Sequence, residues 1–218
     1  TINSAYDITF EGGGYRAYAQ FGNGGYNAPG NHSGNHTITT VHDIKFQVGG
    51  GDYAYAQLGN GGANAYGNHS GNHTILSAHD ITFTGGNKYY TYAQLGNGGA
   101  NANGNHEGAI SINAADLLLK GGNGTGCYAQ LGHGDAALIA NGDRQGAIDV
   151  VVTGETSLVN GSGTNAIWWI GHRTATADAI SNADVTLISG TLDYDDTAAS
   201  TMFYVNTALA ANMAANLA

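Results

Sequence analysis

One phrase is written four times in this chain. "YAQFGNGG" begins at Tyr18, "YAQLGNGG" at Tyr55 and again at Tyr92, and "YAQLGHGD" at Tyr128, at spacings of 37, 37 and 36 residues. A period of this length marks a repeat architecture, because one such unit cannot bury its own apolar face and must stack on the next. A second column agrees with the first. The words "YDITF", "HDIKF", "HDITF", "ADLLL", "IDVVV" and "ADVTL" align Asp7, Asp43, Asp80, Asp116, Asp149 and Asp184. That makes six units, the last two departing from the pattern in their second halves, where "IWWIGH" (167–172) and "MFYVN" (202–206) replace "YAQLGN".

Within a unit the alternation has the period of a strand. In "DITF", Ile81 and Phe83 fall on one face and Asp80 and Thr82 on the other. The same apolar pairs recur as Ile8/Phe10, Ile44/Phe46, Leu117/Leu119, Val150/Val152 and Val185/Leu187. In "YAYAQLG", Ala54, Ala56 and Leu58 share one face, with Tyr53, Tyr55 and Gln57 on the other. Consecutive glycines in "VGGGD", "TGGNK" and "KGGNG" supply tight corners, and a third short strand is expected at "HTITT", "HTILS" and "AISIN". These features predict an all-β parallel solenoid of about six coils, one per unit, spaced about 4.8 Å apart along the rod. The residues in excess of a short coil are assigned to long lateral loops such as "GNGGANANGNHEG", which show no alternation. Two compressed turns per unit, and a sandwich of repeated hairpins, are the competing arrangements. Residues 1–200 are expected to form one solenoid domain and 201–218 a final strand and Ala-rich cap or fragment end.

Composition narrows the function. Charged residues are 10% of the chain, against about 25% in a typical soluble domain, so Gly, Asn, Thr, Ser and His must form much of the surface. Hydrophobic residues at 42% and a single proline among 36 glycines describe a folded chain rather than a disordered one. A net charge of −10 with six Lys and Arg argues against nucleic acid or an anionic membrane as partner, and no apolar run approaches the roughly 18 residues of a membrane span. The lone Cys127 rules out a disulfide within the chain and any thiolate cage. Thr1 is not Met and lies inside a repeat, so the chain is expected to be a processed or excised piece of something longer.

Several columns could carry chemistry. His32 and His36, His69 and His73, and then His106 would stack as files of imidazoles able to take Zn²⁺, Ni²⁺ or Cu²⁺; hydrogen-bonded neutral histidine is the alternative. The aspartates, repelling one another by nearly 1 kcal/mol per neighbouring pair even in water, could cap free amides, face solvent or share Ca²⁺. Tyr18, Tyr55, Tyr92 and Tyr128, with Gln20, Gln57, Gln94 and Gln130, would make an exposed aromatic and amide stripe of the kind that stacks on sugars, or else a ladder packed under the loops. Six N-x-Ser/Thr sequons stand at Asn31, Asn35, Asn68, Asn72, Asn123 and Asn160, acceptors for glycosylation in a secreted chain. No catalytic residue and no obligatory cofactor is identified. The single exceptional spot is the unit holding Trp168, Trp169, His172 and Arg173, where a polysaccharide-processing site would have to lie.

The words "AYAQLGNGG", "GNHSG" and "HDITFTGG", and above all "YAQLGHG" at 128–134, resemble the repeats of large secreted bacterial exoproteins of the filamentous-haemagglutinin type. The resemblance covers roughly residues 1 to 155 strongly and the remainder weakly. It implies a right-handed parallel β-helix, export by two-partner secretion to the cell surface or medium, and an adhesive or scaffolding role. The expected partners are cell-surface or matrix glycans or proteins, with self-association into a filament as the second reading. The shared words are structural and carry over no site residue.

Overall fold

The computed structural model describes residues 1–135, 140–174, 181–182 and 184–195. The chain winds as a parallel β-solenoid with one coil per repeat. Three sheets form its walls. The long wall stacks Ala5–Gly12, Val41–Val48, His73–Thr84, Ile110–Lys120, Ile148–Val159 and Val185–Tyr194, with His36–Ile38 also paired to the third of these. The inner wall stacks Tyr18–Phe21, Tyr55–Leu58, Tyr92–Leu95, Tyr128–Leu131 and Ile167–Ile170. A short wall of two-residue strands runs through His32–Ser33, His69–Ser70, His106–Glu107, Arg144–Gln145 and Ser181–Asn182. Tyr18 pairs with Tyr55, Tyr55 with Tyr92 and Tyr92 with Tyr128 in parallel register. Identical words therefore lie on one another with no strand between them, which excludes the two-turn unit and the hairpin sandwich.

Two interiors result. The larger lies between the long and inner walls, where Ile44, Phe46, Ile81, Phe83, Leu117 and Leu119 meet Ala56, Leu58, Leu95 and Leu131 in one cluster. Phe10, Phe46 and Phe83 stack with centroids 4.6 and 4.4 Å apart, close to the separation of parallel strands. The smaller lies on the opposite face of the inner wall, where Tyr55, Tyr92 and Tyr128 pack against Ala63 and Ala100. Every residue of Tyr55–Leu58, Tyr92–Leu95 and Tyr128–Leu131 is buried. The inner wall is thus an internal partition rather than an outer surface.

The structure revises three expectations. The "GNGGANANG" segments are not free lateral loops: they fold down over the tyrosines as a covering layer, bridged coil to coil at Gly24–Gly61, Pro29–Tyr66 and Tyr66–Asn103, with residues 97–100 buried. The third strand expected at "HTITT" is present as His36–Ile38, but at "HTILS" and "AISIN" it runs into the following one as a single long strand, His73–Thr84 and Ile110–Lys120, and the short wall supplies the coil's remaining strand. The aspartate column also breaks. Asp7, Asp43, Asp80 and Asp116 stack, but Asp149 pairs with Ser111 and Thr186. The residue that continues the file is Glu155, whose amide bonds to Asp116. Strand alternation repeats every two residues, so "IDVVV" satisfies the inward pattern equally well at either station along the wall. The final strand and cap expected at 201–218 lie outside the described residues.

Candidate functional site

The repeated phrase is consumed in internal stacking. Gln57 Nε2 donates to the carbonyls of Gly96 and Gly98, one coil on, and Gln94 Nε2 to those of Gly132 and Gly134. The glutamines thus bond to backbone and not to each other. Tyr55 and Tyr92 turn their hydroxyls to Gln20 and Gln57 of the preceding coil, at 3.3 and 3.4 Å, and the rings of Tyr18, Tyr55, Tyr92 and Tyr128 stack 4.8–4.9 Å apart. Burial pushes the phenols of Tyr92 and Tyr128 far above their ordinary range. Of the two arrangements expected for Tyr18, Tyr55, Tyr92 and Tyr128 with Gln20, Gln57, Gln94 and Gln130, the exposed sugar-binding stripe is overturned and the ladder packed under the loops is the one that forms. Only Tyr18, in the first coil, is exposed.

The glycines of the phrase make room for these rings. A β-carbon on Gly61 would stand 2.7 Å from the His69 ring, and one on Gly62 would strike the Tyr55 hydroxyl. Both residues also have positive φ, 94° and 139°, so an L side chain is disfavoured twice over.

The histidines divide into buried and exposed sets. His36 and His73 meet Nδ1 to Nδ1 at 3.2 Å, and His73 Nε2 bonds to Asn97. His32, His69 and His106 stack in the short wall, and Arg144 takes the next place in that file, its guanidinium donating to the carbonyls of Ala102, Gly104, Asn141 and Asp143. Burial lowers the pKa of His69, His73 and His172 to about 4, and holds His106 and His133 well below their ordinary value. Among the described residues, the expected metal candidates His32, His36, His69, His73 and His106 form no group of three converging ligands. His32 and His69, and His36 and His73, instead meet Nδ1 to Nδ1 along the stack, at 3.3 and 3.2 Å.

The group that does converge is one the sequence reading passed over: His42, Asp43 and His79, whose ligand atoms all lie within 4.8 Å of one another. They stand on the outer face of the long wall. Tyr6, His42 and His79 stack at 4.8 and 5.0 Å, alongside the carboxylate file. The signal was present in the repeated dipeptide His-Asp of "VHDIKF" and "AHDITF". The two residues are adjacent in sequence, which on a regular strand would send them to opposite faces, so they did not read as one cluster. Asp7 and Asp116 each accept an amide of the neighbouring coil, that of Asp43 at 3.3 Å and that of Glu155 at 2.6 Å. A shallow groove of about 350 Å³ runs beside Asp80, Asp116 and Glu155.

A second exposed feature lies at the glycine corner. Tyr15 and Tyr89 are exposed, at 62% and 43%, and half-buried Tyr53 and Tyr90 lie between and beneath them. Tyr89 and Tyr90 pack edge to face at 4.2 Å, and Tyr53 lies about 6 Å from both. The Arg16 guanidinium rests over the rings of Tyr15 and Tyr26 at 4.6 and 4.8 Å. Arg16, Tyr53 and Tyr90 occupy the same corner station with φ of 58°, 58° and 49°, a left-handed conformation that costs a non-glycine residue about 1–2 kcal/mol. Later coils place Gly126 and Asn165 there, residues that tolerate it. No protein-family model, curated protein or solved structure matches the chain.

Proposed function

We propose that this chain is a segment of an extracellular adhesive β-solenoid, a rod that holds carbohydrate against its glycine corner. The observation that carries the reading is the cluster of Tyr15, Tyr53, Tyr89 and Tyr90 with Arg16, in which bulky side chains occupy a backbone station that glycine or asparagine would fill at lower cost. Local strain retained at one exposed place points to what the side chains do there. Exposed phenol rings offer flat apolar faces with a polar rim, suited to pyranose rings. Asp52, Asn87 and Lys88 flank them with polar groups, and Asp52 Oδ1 accepts the amide of Tyr89, which fixes the corner's shape. The resemblance of "YAQLGHG" and "HDITFTGG" to haemagglutinin-type exoprotein repeats supports the same role.

The test is binding of the purified chain to a glycan array, repeated with the Tyr15→Ala/Tyr89→Ala double variant. Tyr15 and Tyr89 are 62% and 43% exposed and pack on other residues of the corner, not on the core, so the variant should stay folded, which its melt checks. Carbohydrate binding by the parent, weakened about tenfold in the variant, is expected if each ring contributes in the usual range for aromatic stacking. Absence of binding to every glycan, or binding that the double variant leaves intact, would refute the assignment.

A further inference from the structure

The outer face of the long wall carries a cluster that stacking does not explain. In the interior most histidine and asparagine side chains bond from coil to coil, although His69 Nε2 and both nitrogens of His106 have no hydrogen-bond partner. His42 and His79 are instead exposed, at 45% and 58% of their side chains, and both turn Nδ1 toward one carboxylate oxygen, Asp43 Oδ1, at 3.1 and 3.8 Å. Those distances bracket the roughly 3.4 Å that separates two ligand atoms each about 2.1 Å from a shared tetrahedral ion. Asp80 Oδ1 stands 2.8 Å from His79 Nδ1, and Asp7 Oδ1 3.5 Å from His42 Nδ1. Lys45 approaches the other oxygen of Asp43 at 3.9 Å, leaving Oδ1 to the imidazoles.

An independent observation points the same way. Asp43 Oδ1 and Asp80 Oδ1 are closed off from solvent and receive no aligned hydrogen bond. A shielded carboxylate oxygen that lacks an aligned hydrogen bond is costly, and here the nearest groups are imidazole nitrogens at ion-pair distance, His42 Nδ1 at 3.1 Å from Asp43 Oδ1 and His79 Nδ1 at 2.8 Å from Asp80 Oδ1. A cation between these atoms would satisfy all of them together.

We propose that His42, Asp43 and His79 form a transition-metal site bridging two coils, taking Zn²⁺ or a similar borderline divalent ion, with Asp80 or water as fourth ligand. Two imidazoles with carboxylate favour such ions over Ca²⁺, which takes six or more oxygen ligands. The two rings are parallel to within 1° and 5.0 Å apart, and a metal must lie near the plane of each ligating ring. Binding therefore tilts the rings toward each other about Cβ–Cγ, a rotation open to side chains so exposed. The ion would pin the second coil to the third from outside and neutralise part of the carboxylate file.

Untagged protein stripped with a chelator is titrated with Zn²⁺ by calorimetry and with Co²⁺ by visible absorption. One ion per chain is expected, with the intense Co²⁺ bands of a four-coordinate site, and at least a tenfold loss of affinity in His42→Asn, His79→Asn and Asp43→Asn. A His133→Asn variant, altered only in the buried file, should bind as the parent does. Melting in chelator checks that each variant is folded. No binding by the parent, a six-coordinate Co²⁺ spectrum, or Zn²⁺ affinity that His79→Asn leaves unchanged would overturn the proposal.

Discussion

Asparagine and histidine do the same work in this chain. In the file Asn23, Asn60, Asn97, His133 and His172, each side chain after the first accepts the backbone amide of the residue one coil before it: Asn60 Oδ1 from Asn23, Asn97 Oδ1 from Asn60, His133 Nδ1 from Asn97, and His172 Nδ1 from His133. Each also donates sideways, Asn97 Nδ2 to Gly71 and Glu107, His133 Nε2 to Gly108 and His172 Nε2 to Gly146. This fixes both imidazoles as the neutral Nε2–H tautomer, since Nδ1 must present a lone pair. His133→Asn should therefore cost only about 1 kcal/mol at neutral pH, chiefly for the lost ring contact with His172. His133→Leu, of similar bulk, strands the Asn97 amide and the Gly108 carbonyl and should cost about 2–4 kcal/mol. Urea unfolding of the two variants at pH 7.5 makes the comparison, and equal losses would mean that packing, not the pair of hydrogen bonds, sets the value of this station.

At the scale of the strand, alternation and spacing carried most of the architecture. The 37-residue recurrence of "YAQ" placed Tyr55 beside Tyr92, and the Ile/Phe pairs of the aspartate words pointed inward as their period required. Alternation says which residues share a face, however, and not what covers that face. The tyrosine side of the inner wall could be read either as an exposed stripe or as a covered ladder, because its cover, "GNGGANANG", is small, polar and aperiodic. The visible trace of burial was the glycine pair, Gly61 and Gly62, placed where the His69 and Tyr55 rings must fit. The slip of "IDVVV" along the wall has a different cause. The strand itself carries one more residue than its neighbour between Val152 and Thr156, opposite Ala114 and Leu117, and because that leaves a spacing of four, its own alternation stays in phase and hides the bulge. Where alternation and stacking agree, the strand core should be rigid and costly to open. Phe83 is fully buried and stacked on Phe46 at 4.4 Å, so Phe83→Ala should destabilise by about 3–5 kcal/mol. Hydrogen exchange should show the added opening concentrated in Val41–Val48, His73–Thr84 and Ile110–Lys120. An increase spread evenly to Ile148–Val159 would mean that the coils open together rather than locally.

For the whole rod, the histidines set a limit in acid. His36, His69, His73, His106, His133 and His172 lie along five coils, all with pKa lowered by burial, to about 4 for His69, His73 and His172. In the unfolded chain each returns to about 6.5. Between those values the unfolded state binds protons that the folded state refuses, so stability rises with pH across the window and falls as pH drops from about 6.5 toward 4. Below the folded values both states are protonated and the loss levels off. With a gap of about 2.5 units, one such histidine withdraws on the order of 2 kcal/mol by pH 5. Several acting together rival the 5–15 kcal/mol that typically holds a domain folded. The chain should therefore be stable and pH-insensitive from about 7 to 8 and lose its cooperative melt between about pH 6 and 4.5. Melts in chelator keep any ion at His42 and His79 from contributing. Because the inner wall pairs coil to coil without a register shift from Tyr18–Phe21 to Ile167–Ile170, the acid transition should spread along the rod once a pair such as His36 and His73 is protonated and pushed apart. His133→Asn removes one titrating group while keeping its hydrogen bonds, so its acid midpoint should shift downward by a few tenths of a pH unit. A melting temperature that holds constant from pH 7 to 5, or a midpoint indifferent to His133→Asn, would show that these imidazoles take up protons in the folded rod at little cost.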